Sequence, residues 1–250
     1  MRKILFILSV AVLFLSSCSS DSESSESSLL LVKKIVTLSS VMERTITFTY
    51  NGAKLNTIEV DGSVLQHTYS GDNIVNVKRY SGDLLEGETF YEYDNLGRVS
   101  SELFVYYLSD FSQKSVYTYN SNNTISYETL SGDQFSQSPN GISGLITQGQ
   151  HGEILKVEVF NQGVLVNTNV YTYDAKNNPF KNVVGYGKLP SNTDKVFNMI
   201  TSTSLNINQE INTNSTYDYI YNGNNFPTQR NQSFFNNEGI MTSVNSTYFY

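Results

Sequence analysis

Aromatic side chains recur along this chain as pairs two positions apart, and each pair runs into a short polar stretch before apolar positions resume. The clearest case is Tyr91-Glu92-Tyr93-Asp94-Asn95-Leu96-Gly97-Arg98-Val99. On a strand, Tyr91 and Tyr93 share one face and Glu92 takes the other. Asp94 to Gly97 has turn chemistry, because Asn and Gly tolerate positive φ and Asp bonds its own backbone. Arg98 to Phe104 resumes as a strand, so the stretch is predicted to be a β-hairpin.

The unit repeats. Related segments run over 48–60, 67–80, 117–130, 171–183 and 219–231, and the chain closes on Tyr248-Phe249-Tyr250. A degenerate copy spans 146–159, with Gln148 in the tyrosine place. The second tyrosines are Tyr50, Tyr69, Tyr93, Tyr119, Tyr173, Tyr221 and Tyr250, separated by 19, 24, 26, 54, 48 and 29 residues. The two long gaps are each about two units, so the period is near 24 to 27, room for two strands and two turns. Second turns stand at Asp61-Gly62, Ser81-Gly82-Asp83, Ser131-Gly132-Asp133 and Asn161-Gln162-Gly163, short connections of the kind that join antiparallel neighbours. About sixteen or seventeen strands result, with no long stretch of helical period.

The predicted fold is all-β, an antiparallel meander of about sixteen strands forming an elongated curved sheet, with a closed barrel or a sandwich as the alternative. A lone hairpin is marginal, so stability must come from hairpins stacked in register. The equivalent tyrosines then form an aromatic band. Cross-strand aromatic pairs contribute roughly 0.2–1 kcal/mol each, and burial of a large side chain about 1.5–3 kcal/mol. The tyrosines are therefore structural first. Regularity breaks at 185–205, where Gly185, Gly187 and Pro190 interrupt the strands and one helical turn is expected near Asp194–Met199. It breaks again at 136–144. Long loops often carry function.

Tyr93-Asp94-Asn95-Leu96-Gly97-Arg98 resembles the YD repeat of Rhs-type and toxin-shell proteins, whose hairpins line up into a long curved or spiral sheet. Asn or Ser replaces the Asp after Tyr50, Tyr69, Tyr119 and Tyr221. Across most of residues 31–250, including Asn-Asn-Pro-Phe-Lys-Asn at 177–182, the chain is also similar to small surface lipoproteins of Gram-negative bacteria. That resemblance implies architecture rather than an activity.

The first seventeen residues read as a signal peptide. Arg2 and Lys3 precede an apolar run from Ile4 to Leu15, too short to span a bilayer as a helix, which takes about 20 residues. Leu15-Ser16-Ser17-Cys18 looks like a lipobox, with Cys18 as the lipidated residue and mature N-terminus. Residues 18–30 then read as the lipidated cysteine and a flexible, acidic, serine-rich tether carrying Asp21, Glu23 and Glu26, and 31–250 as the hairpin domain. An acidic stretch after the cysteine resembles a signal for export to the outer face of the outer membrane; the periplasmic face is the alternative.

Composition narrows the partners. Without Arg2 and Lys3, 14 basic and 23 acidic residues remain, a net charge of −9, which argues against nucleic acid or anionic lipid. Cys18 is the single cysteine, so there is no intramolecular disulfide and no thiolate metal cluster. His67 holds an aromatic place in its repeat and His151 sits at a turn; a zinc site would need both plus carboxylates. Glu86 and Glu88 share a strand face, as Glu128 does with a neighbour, a pattern expected of a solvated strand. No nucleophile elbow, P-loop or dinucleotide fingerprint is present. The expectation is a membrane-anchored, non-enzymatic lipoprotein with no cofactor, presenting a face or loops to an unidentified partner. Glycan binding or hydrolysis is the alternative, motivated by the aromatic band.

Overall fold

The computed structural model describes residues 29–193, 195–236, 239 and 241–250. Cys18 and the tether through residue 28 lie outside them. Sixteen strands follow one another: β1 (Lys34–Ser39), β2 (Glu43–Asn51), β3 (Lys54–Val60), β4 (Ser63–Ser70), β5 (Asn73–Ser81), β6 (Leu84–Tyr93), β7 (Val99–Tyr106) and β8 (Phe111–Tyr119), then β9 (Thr124–Gly132), β10 (Gln137–Gln148), β11 (Ile154–Asn161), β12 (Val164–Tyr173), β13 (Met199–Leu205), β14 (Ile211–Tyr221), β15 (Pro227–Asn236) and β16 (Met241–Phe249). The quoted Tyr91–Val99 stretch is the β6–β7 hairpin.

Each strand pairs antiparallel with its neighbours, and β1 also pairs with β16 from Lys34↔Phe249 to Ser39↔Val244. The sheet is therefore the closed barrel that stood as the alternative expectation, not the open curved sheet that the repeat suggested first. Two physical causes account for the closure. An open meander would leave the ladder groups of β1 and β16 unpaired, and closure removes both edges. Curvature comes from bulges, six of which recur at the equivalent place in the repeat. The register slips between Thr49/Tyr50, Thr68/Tyr69, Glu92/Tyr93, Thr147/Gln148, Thr172/Tyr173 and Ile220/Tyr221. Such bulges bend a strand and increase its twist. Gln148 takes the same bulged position as the tyrosines, so the degenerate copy is a full structural repeat.

The paired tyrosines point inward. Along β6, Phe90 and Glu92 are exposed while Tyr91 and Tyr93 are half-buried, and β14 repeats this with Asp218 and Ile220 outside and Tyr219 and Tyr221 inside. The first apolar residue after each turn joins them in the core: Leu55, Ile74, Val99, Ile125 and Ile154 are all at most 1% exposed. Each hairpin is then tied to the one before it by a phenol. Tyr50 Oη donates to Val32 O (2.7 Å), Tyr93 to Ile74 O (2.7 Å), Tyr119 to Val99 O (3.0 Å), Tyr173 to Ile154 O (2.8 Å) and Tyr250 to Pro227 O (3.0 Å). Tyr69 Oη accepts from Leu55 N (3.1 Å) and donates to Val184 O (3.2 Å).

The turn chemistry is also as read. Asp94 Oδ1 accepts from Leu96 N and Arg98 N, each at 2.9 Å, and Gly97 adopts φ +73°. The equivalent Asn222 accepts from Asn224 N and Phe226 N. This explains why Asn replaces Asp between repeats: either side chain offers the one acceptor oxygen that the turn requires.

Residues 136–144, expected to be irregular, largely belong to β10, with a register shift between Pro139 and Ser143. The helical turn lies at Tyr186–Lys188; residues 195–198 are not helical, β13 begins at Met199, and Asp194 lies outside the described residues.

Candidate functional site: a plugged barrel mouth

One connection differs from all others. Residues 174–198, between β12 and β13, fold into the tyrosine-lined end of the barrel and touch its rim around the circumference. Asn182 Nδ2 donates to Leu30 O (2.9 Å), Val184 N to Ala53 O (3.0 Å) and Lys188 Nζ to Asn73 Oδ1 (2.6 Å). Across the mouth, Asn177 N donates to Asn225 O (3.0 Å), and Tyr173 Oη to Thr193 O (3.2 Å). Phe180 stacks on Tyr186 at 4.7 Å and meets Phe48 edge-on at 5.4 Å. Val183 and Leu189 enter the wall's apolar clusters. Gly185 is required here: at φ +79° it passes so close to Asp72 O that a Cβ would lie 2.8 Å away.

The repeat tyrosines thus form the socket of this plug. Tyr221 departs from the rule, donating its phenol proton to Asp174 Oδ2. Asp174 also accepts from Asn198 N (3.1 Å), which fixes both ends of the plug. Burial raises the phenol pKa of Tyr50, Tyr69, Tyr119 and Tyr250 above the ordinary value, and that of Tyr93 to about 12.

Below the plug the barrel encloses cavities. One of about 260 Å³ is lined by His67, Arg79, Tyr91 and Phe104 with Tyr186 and Leu189 of the plug. Another of about 280 Å³ is lined by Phe48, Phe180 and Arg230 among others. His67 faces inward, with desolvation lowering its pKa to about 4 and no partner for Nδ1. Glu102 was not legible as a core group. It accepts from Tyr91 Oη (3.3 Å) and Tyr117 Oη (3.1 Å), and burial raises its pKa. Strict alternation from buried Val99 would put Glu102 outside; the bulge at Tyr93 turns it inward.

The remaining candidates do not converge. His151 lies at the β10–β11 turn, edge-on to Phe197 at 5.3 Å, far along the wall from His67. Glu88 and Glu128 belong to the outer wall, where Glu88 binds Asn76 Nδ2 (3.1 Å). Among the described residues no group of three or more His, Cys, Asp or Glu could hold a metal.

The outer wall is polar at mid-strand. Lys78 faces Glu88 (3.8 Å), Lys114 faces Glu92 (3.5 Å) and Lys156 faces Glu158 (3.0 Å). Hydroxyl and amide ladders continue the pattern: Thr49–Thr57 and Thr172–Thr201 at 2.6 Å, and Asn231–Asn245 at 2.8 Å. Exposed apolar side chains such as Phe90 and Ile220 stand among them.

No family model matches the chain, and no curated protein matches it. Among solved structures it is similar to a porin-like protein from Bacteroides vulgatus, with 12% identity and a TM-score of 0.56 over 88% of this chain and 99% of that one. A porin-like protein from Bacteroides uniformis aligns over 87% of this chain and 96% of that one, with 11% identity and a TM-score of 0.36. The first likeness establishes the barrel fold.

Proposed function

We propose that this chain is a non-catalytic binding barrel outside the cytoplasm, held at the outer membrane by a lipid on Cys18 rather than by its strands. The observation that carries this reading is the outer wall. A transmembrane barrel shows lipid an apolar band about 25 Å tall, and a Lys or Arg at the bilayer midplane costs about 2–4 kcal/mol. Here Lys78, Lys114 and Lys156 stand on that face with Glu88, Glu92 and Glu158. Around the plug the interior is apolar and aromatic, while the inner wall toward the other mouth carries polar groups.

Residues 30–33 lie at the plugged end, where Leu30 O accepts from Asn182 Nδ2 of the plug, Val32 O from Tyr50 Oη, and Lys33 N donates to Phe249 O. A lipid on Cys18 would turn that end toward the membrane and leave the other mouth facing out. That mouth offers Arg79, Gln113 and Asn161 on its inner rim, all exposed, as the surface for a protein or glycan partner. The tyrosine band packs against the plug, which weighs against its use as an open sugar platform.

The test is fractionation of the full chain with Cys18→Ala. Release of the protein into the aqueous fraction is expected. Retention in the membrane after alkaline carbonate washing would contradict the reading and favour a transmembrane barrel, as would wild-type protein that stays membrane-bound after its acyl chains are removed.

A further inference from the structure

The seam between the plug and the barrel rim holds a cavity of about 350 Å³, within the size range of small-molecule sites. Four basic side chains line it: Arg98, His151, Lys188 and Lys195. No Asp or Glu is among its lining residues, in a chain whose acidic residues outnumber its basic ones. Arg98 is already committed, with Nη2 at 2.6 Å and Nε at 2.8 Å from Asp94 Oδ2. Lys188 bonds only the neutral Asn73.

Lys195 is the decisive group. It is 6% exposed, yet no ion pair links it to a described carboxylate, and burial alone lowers its pKa to about 8. A buried ammonium is normally paired. One that lines an open cavity with no counter-charge among the described residues marks a place for an anion from outside.

The rest of the lining narrows the class. Asn123 and Gln148 add amides to the lining, and Tyr119, Ile125, Pro190 and Val196 add aromatic and apolar surface, while the Asn120 amide is already bonded to the Thr124 hydroxyl at 2.9 Å. Phosphate favours a bidentate arginine or a run of backbone N–H groups, and the one guanidinium here is held by Asp94. Point-charge ammoniums beside amides and an apolar wall suit a ring that has hydroxyls on its edge, a C–H face and one carboxylate. We propose that this seam binds a sugar acid, its carboxylate between Lys195 and Lys188. The site is independent of how the protein is anchored, since it is built entirely from the plug and the rim turns.

Calorimetric titration of the detergent-solubilised mature protein with sodium glucuronate at pH 7 tests the proposal, with glucose and sodium phosphate as comparison probes. Glucuronate should bind at least tenfold more tightly than either. Lys195→Met should weaken it at least tenfold without lowering the melting temperature, and Lys181→Met, whose ammonium bonds Asn177 away from the cavity, should leave it unchanged. Should Lys195→Met fail to fold, Lys188→Met reads the same site, again with a loss expected. Glucuronate binding no tighter than glucose, phosphate binding as tight as glucuronate, or affinity indifferent to both lysine changes would each overturn it.

Discussion

The two ends of the barrel are built from the same strands and differ in almost everything else. At the plugged end, Leu55, Ile74, Val99, Ile125 and Ile154 are sealed in, phenols bond backbone carbonyls from one hairpin to the next, and Val183 and Leu189 fill the middle. At the other end the inner wall carries polar groups, among them Arg79, Gln113 and Asn161, all exposed. Arg44 pairs with Asp61 at 2.6 Å in an exposed bridge that contributes little. A sixteen-stranded barrel is too wide for its own side chains to fill. The chain solves this at one end only, by spending 25 residues between β12 and β13 on an inserted core. Stability should therefore be concentrated at the plugged end, while the open end is free to vary.

The largest expected effect that separates the ends is Ile74→Ala. It empties a fully buried site against Leu189 and should cost about 2–5 kcal/mol. Val64→Ala, toward the open end, should cost under about 1 kcal/mol. Chemical denaturation of both variants measures the contrast, and equal losses would mean that the core is not confined to the plug.

Acid should expose the next difference. The folded-state pKa of His67 is lowered from 6.5 to about 4, so the unfolded chain binds a proton first as pH falls. The stabilisation is complete above pH 6.5 and is lost down to about pH 4, roughly 3 kcal/mol in all. His67→Phe keeps an aromatic ring at the position and should flatten this acid limb in a denaturation series across that range.

Smaller still is Tyr93→Phe. It keeps the ring and removes the bond to Ile74 O, for a loss of about 1 kcal/mol. The same phenol is raised to about 12. Its stabilisation is complete below pH 10 and falls as pH rises toward 12, so the variant should also be less sensitive to alkali than the wild type.

Much of this architecture was legible in the chain because the repeat is written in residues that only a hairpin needs. Asp94 and Gly97 mark the turn, and Tyr91 and Tyr93 mark the inward face. Gln148 could be placed by spacing alone. Closure could be named only as an alternative, since nothing in the Tyr-x-Tyr pattern says that β16 meets β1. The bulges were equally hidden. Each shifts alternation by one residue after the turn, which is how Glu102 and Val77 come to face inward three positions after Val99 and Ile74. The break at 185–205 could be read as irregular. Its use as a plug could not, because it depends on Leu30, Ala53, Asn73 and Asn225 gathering around one mouth, which no local signal encodes.

The claim on which the proposed function rests is that the outer wall faces water. Size-exclusion chromatography with light scattering on residues 29–250, prepared without detergent, tests it most directly. A folded, β-rich, monodisperse particle that binds no detergent when detergent is added is the expected result. A domain that aggregates in buffer and becomes folded and monodisperse only inside micelles would contradict it.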